Sequence, residues 1–149
     1  MTGATQNEVF ELYKLHAELV DRVSQRREGA NRLFVSLLTG LLVFLAASLR
    51  FGTGPVTADS VMVFVGIAGV MLSVAWYVVI RSYRQLNTGK FLALHELEQK
   101  LAYPFYKREW ELLGEGQDTR RYWRLTVVET TLPLVFGLLF AAVVLVAAL

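Results

Sequence analysis

The sequence predicts an all-α integral membrane protein with three transmembrane helices. Amphipathic cytosolic helices are expected before the first span and between the second and third. Three observations lead there. Of 149 residues, 54% are hydrophobic and only 19% charged, and a mean hydropathy of +0.43 is too apolar for an ordinary soluble domain of this size. The apolar residues gather in three blocks, Leu33 to Leu49, Val61 to Ile80 and Leu132 to Leu149. None of these blocks contains a charged side chain. The implied divisions are a cytosolic helix at 1–32, a transmembrane hairpin at 33–82, a cytosolic helical segment at 83–128 and a third span at 129–149.

The N-terminal helix comes first. Val9, Tyr13, His16, Val20, Val23 and Ala30 recur in steps of three and four, while Lys14, Glu18, Arg22 and Glu28 fall on another face. Lys14 with Glu18, Glu18 with Arg22, and Glu28 with Arg32 are spaced to pair, each worth a few tenths of a kcal/mol. A single chain is expected to offer this apolar face nothing to pack on, which points to assembly of several copies. At 1.5 Å per residue the block from Leu33 to Leu49 covers only about 25 Å of a roughly 30 Å hydrocarbon core. The span therefore starts earlier. No proline intervenes, and Gly29 costs only about 1 kcal/mol, so one long helix is expected to run out of the membrane.

The link RFGTGPVTADS is short and turn-rich, so the first two spans should run antiparallel. After Ile80 the second helix should continue to Asn87, Thr88 and Gly89, with a new helix starting near Lys90 and ended by Pro104. A shorter helix around YKREWELL should close at Gly114. Asp118 or Thr119 should then cap the helix leading into the third span.

Orientation follows from charge. Five Lys and Arg precede the first block, Arg50 alone lies in the link, and nine fall between Arg81 and Arg124. The positive-inside rule places the N-terminus and the long second loop in the cytosol, and the C-terminus outside the inner (plasma) membrane. The residues before Leu33 carry five basic and five acidic side chains, unlike a cleaved signal peptide.

Enzyme motifs fail on inspection. His95-Glu96-Leu97-Glu98-Gln99 starts like a zinc-protease helix, but Gln99 stands where the second histidine is needed. Gly52-Thr53-Gly54 and Gly114-Glu115-Gly116 lack the third glycine and the preceding strand of a dinucleotide loop. With no cysteine and two histidines, no nucleophile-base pair suggests itself. No catalytic residue, metal or cofactor is expected. A net charge of +2 gives no electrostatic footprint for nucleic acid.

Two kinds of candidate site remain. Ser36 with Gly40, Gly69 with Ser73, and Gly137 with Ala141 are small residues four apart, the spacing that lets helix backbones approach closely in lipid. At the cytosolic ends of the first two spans, Arg26, Arg27, Asn31, Arg81, Arg84, Asn87 and Lys90 form a candidate collar. Its plain reading is orientation and headgroup contact; its sharper reading is binding of an anionic ligand, a nucleotide or lipid phosphate, or a role in assembly. Glu96 and Glu98 are candidates to pair with collar cations across a subunit boundary. Trp76, Tyr77, Tyr122 and Trp123 fit an interfacial aromatic belt.

ELYKLHAELVDRVSQRREGANRLF, WYVVIRSYRQLNTGKFLALHELE and YPFYKREWELLGEG together resemble the RipA family of octameric bacterial membrane proteins. Arg81-Ser82-Tyr83-Arg84, Leu86-Asn87 and Gly89-Lys90-Phe91 are the specific part. That family's pattern has an Asn near the position of Leu38, where this chain departs from it. The resemblance implies a cytoplasmic-membrane homo-oligomer linked to adaptation inside host cells, and it supplies no catalytic residues. The layout is also similar to SLATT-type membrane effectors. The expected partners are the bilayer and further copies of the chain, with function as a membrane effector, a channel-like or stress-adaptation component, or a scaffold binding proteins or anionic ligands.

Overall fold

The structure, a computed structural model, describes residues 5–52, 54, 56–117 and 125–149. Helix α1 runs Gln6–Phe51, α2 Ala58–Glu98, α3 Phe105–Leu112 and α4 Leu125–Ala147, with a 3-10 turn at Gly114–Gly116. Three of these helices are long and apolar enough to cross a membrane: α1, α2 and, over Val128–Ala147, α4. The caps expected of Asp118 or Thr119, and Tyr122, Trp123 and the arginines at 120, 121 and 124, lie outside the described residues.

Helix ends follow local chemistry. The Thr5 amide donates to Glu8 (2.7 Å) at the start of α1, holding that carboxyl below its ordinary range. The Ser60 amide donates to the Thr57 hydroxyl (3.3 Å) at the start of α2. Gly52 (φ 85°) and Gly54 (φ 67°) take the left-handed backbone of the tight link. Gly29 leaves α1 unbroken, as anticipated.

The expected break at Asn87-Thr88-Gly89 does not occur, since α2 continues to Glu98. The Thr88 hydroxyl bonds back to the Arg84 carbonyl (3.0 Å), so it is satisfied inside the helix instead of capping a new one. Nor does α2 reach Pro104. Lys100 and Leu101 close the helix with bonds to the Leu97 and Glu98 carbonyls, both 3.0 Å. Among the surface ion pairs, Glu18–Arg22 (3.8 Å) and Glu28–Arg32 form as spaced, but Lys14 pairs with Glu11 (3.0 Å), not Glu18.

The chain divides into two compact units: residues 1–27 with 82–126, and residues 28–81 with 127–149. In the first, Val9, Val20 and Val23 on α1 and Leu94 and Glu98 on α2 are buried. The apolar face of the N-terminal helix is thus covered within one chain, contrary to expectation, because the last turns of α2 and α3 supply a surface for it. Tyr13 meets the Tyr106 ring of α3 (centroids 6.4 Å apart), which also packs edge-on to Phe91 of α2 (5.8 Å). In the second unit, Leu38, Leu45, Val65, Trp76, Ile80 and Phe140 form one core drawn from α1, α2 and α4.

Candidate functional site: a helix-packing seam and a buried carboxylate

Within the second unit, the seam between α2 and α4 is built on small residues. Gly66, Gly69 and Ser73 follow one another at helical spacing on α2 and are buried. A methyl group on Gly69 would overlap the Phe140 ring of α4, and one on Gly66 would overlap Val144 and come within 3.1 Å of the Phe140 carbonyl. Gly137 would place a Cβ 3.5 Å from that of Ser73, an ordinary contact. The Ser73 hydroxyl donates to the Gly69 carbonyl (2.8 Å), so its burial leaves no hydroxyl proton unmatched. Ala141 is half-buried, whereas Ser36 and Gly40 are exposed, with nothing within 4 Å of a Cβ at Gly40. The pair on α1 therefore faces away from the chain's own helices.

Replacing Gly69 by alanine should cost about 1–3 kcal/mol, because Phe140 is fully buried and has nowhere to swing. Unfolding of G69A, F140A and the double variant in mild detergent checks this. The double variant should be more stable than the sum of the two losses predicts.

The same unit carries a polar clasp. Trp76, fully buried, stacks on Phe34 (5.9 Å, planes 8° apart) and tilts against Phe136 (6.2 Å). Its indole N–H donates to Asn31 Oδ1 (2.9 Å), and Asn31 Nδ2 donates to Glu129 Oε1 (3.2 Å). One short chain of hydrogen bonds thereby ties α2 to α1 and α1 to α4. Pro133, buried one turn after Glu129 inside α4, has no N–H to offer the Glu129 carbonyl. Trp76, expected in an interfacial belt, is a core residue because its N–H finds a partner on α1.

The collar residues divide. Arg26, Arg27, Arg84, Asn87 and Lys90 belong to the first unit, and Asn31 and Arg81 to the second. Arg26, Arg81 and Arg84 are exposed, Arg27, Asn87 and Lys90 half-buried, and the Asn87 side-chain carbonyl is buried without a hydrogen bond. Asn31 is committed to Trp76 and Glu129.

Glu98 is the buried acid of the first unit, 1% exposed. Its carboxylate accepts the amides of Tyr106 (2.7 Å) and Lys107 (3.1 Å) and the Tyr13 hydroxyl (3.2 Å). Pro104, at the N-cap of α3, makes no side-chain cap bond, so an acid from the end of α2 caps α3 and meets the positive end of its dipole. That use replaces its expected pairing with collar cations. The Tyr13 phenol is pushed up to about 12, first by burial and then by the adjacent Glu98 carboxylate. Tyr106 is raised too, again chiefly by burial.

Gly66, Phe140, the Asn31–Trp76–Glu129 clasp and the capping role of Glu98 emerge only in the folded chain. The Gly69 to Ser73 spacing is the signal that leads toward them, and Gly66 extends it by one turn. Among the described residues no cluster of three or more His, Cys, Asp or Glu is placed to hold a metal.

The model of the octameric membrane protein family (8xMP) matches residues 10–149. The chain belongs to that family. It is accordingly a membrane protein that self-associates, and the helices meeting at the Gly69–Phe140 seam are those of an octameric membrane protein subunit. No curated protein and no solved structure matches the chain.

Proposed function

We propose that the chain forms a non-enzymatic homo-oligomeric ring of the RipA type in the inner membrane, acting as a membrane effector or as a channel-like or stress-adaptation component. The carrying observation is that the three apolar helices close on one another: Leu38, Trp76 and Phe140 fill the space among them. A passage for solutes is therefore a property of several copies around an axis. The axis would be lined by exposed small and hydroxylic residues such as Ser36, Thr39 and Gly40 or gated by a dry apolar constriction. The N-terminus and residues 83–128 face the cytosol and the C-terminus the outside, by the distribution of Lys and Arg. The α1 and α2 segments of the first unit then serve as amphipathic cytosolic helices.

A second reading, a scaffold that takes an anionic ligand, is favoured by Arg26, Arg84 and Lys90. These share one unit, and none joins the ion pairs found among the described residues. Forked guanidinium groups without carboxylate partners suit phosphate. Planar-bilayer recordings of reconstituted protein separate the two. The ring reading predicts discrete conductance steps; a silent bilayer combined with Arg84-dependent binding of anionic-lipid vesicles favours the scaffold. A reporter fused after Leu149 should read extracytoplasmic and one inserted near Gly116 cytosolic, and the reverse would contradict the orientation.

A further inference from the structure

Helices α1 and α2 run antiparallel in the first unit, being joined by the tight link at 52–57. At about 100° per residue, Leu12 and Leu15 sit to one side of the buried Val9–Val20–Val23 stripe of α1, and Leu86 sits to the matching side of the buried Leu94–Glu98 face of α2. Because the helices are antiparallel, these two sides form a single flank. Helix α3 covers the other flank, since Tyr106 meets Tyr13 and Phe91. Leu12, Leu15 and Leu86 are left 48%, 52% and 49% exposed, although all three lie outside the apolar blocks and so beyond the hydrocarbon of the bilayer.

Helix α3 has its own uncovered side. Phe105 and Leu112, two turns apart on one face, are 64% and 62% exposed, and Tyr103 packs edge-on against Phe105 (4.7 Å). No residue of α3 is buried. One unit thus carries two separate apolar surfaces, one on α3 and one on the flank of the α1–α2 pair that α3 leaves open.

We infer that these surfaces are complementary: the Phe105–Leu112 side of α3 in one copy docks on the Leu12–Leu15–Leu86 flank of the next. This rests on the ring reading above and names its cytosolic contact. The occupant is a second copy for two reasons. The family is octameric, and a head-to-tail interface between two different surfaces is the kind that closes into a cyclic ring. The charges beside both surfaces are also mixed, Glu8, Glu11 and Arg22 along the flank and the Arg108–Glu111 pair (2.9 Å) on α3, unlike the polybasic border that selects an anionic lipid surface.

The chain has no cysteine, so introduced pairs report cleanly. Oxidation of the L15C/F105C double variant in native membranes should give a ladder of disulfide-linked species climbing to the octamer, with no ladder from either single variant. L15E should lower the octamer population at least tenfold at fixed protein concentration, and L15E/F105K should restore it, which separates lost docking from lost folding. An assembled protein that gives no ladder, or an intact octamer in L15E, would assign the flank to lipid or another protein and overturn the docking while leaving the ring standing. A dimer from L15C alone would overturn it by showing a twofold contact. A monomeric wild type would overturn both.

Discussion

Trp76→Ala is expected to be the most damaging single substitution, lowering stability by about 3 kcal/mol, the lower end of the range for deleting a large buried aromatic. In lipid the displaced side chain leaves little solvent-transfer energy behind, so the loss comes from three broken contacts: the Phe34 stack, the Phe136 contact and the indole bond to Asn31. Reversible unfolding in mixed micelles checks the figure. Trp76→Phe should cost only about 1 kcal/mol, since it keeps the ring packing and removes one hydrogen bond. If both variants unfold like the parent, the clasp does not hold the three helices together.

The second large effect should follow Glu98→Ala. Removing this carboxylate strands two α3 amides and the Tyr13 hydroxyl, a loss on the order of 3 kcal/mol. It should be felt locally: hydrogen exchange at the Tyr106 and Lys107 amides should quicken by roughly a hundredfold while the second unit is unchanged. The Tyr13 titration gives an independent readout. With a folded-state value of about 12 against an ordinary 10, the contribution of this phenol to stability is intact below pH 10 and is lost as pH rises through 12. Without Glu98 that midpoint should fall but stay above the ordinary value, because burial is the larger cause. An unchanged midpoint and unchanged exchange would remove Glu98 from the account of α3.

Much of the fold was legible because the bilayer imposes one-dimensional signals. The three uncharged blocks became three apolar helices, and Gly114 closed the short helix before it, with a left-handed φ of 69°. What failed depended on which partner a polar group takes once the helices are in place, near in sequence or far. Thr88 looks like a cap until the Arg84 carbonyl is seen to accept its proton, and Glu98 looks like a surface acid until α3 folds back onto it. Trp76 has the composition of a belt residue, and only Asn31, forty-five positions earlier, makes it a core residue. For the small residues, spacing alone could not distinguish Gly69, closed against Phe140, from Gly40, which faces open space.

Assembly into a closed ring is open to direct measurement by native mass spectrometry of the full chain released from mild detergent at micromolar concentration. One dominant species is expected at eight times the 16.8 kDa subunit mass; a clean monomer under those conditions would mean that the chain does not close into a ring.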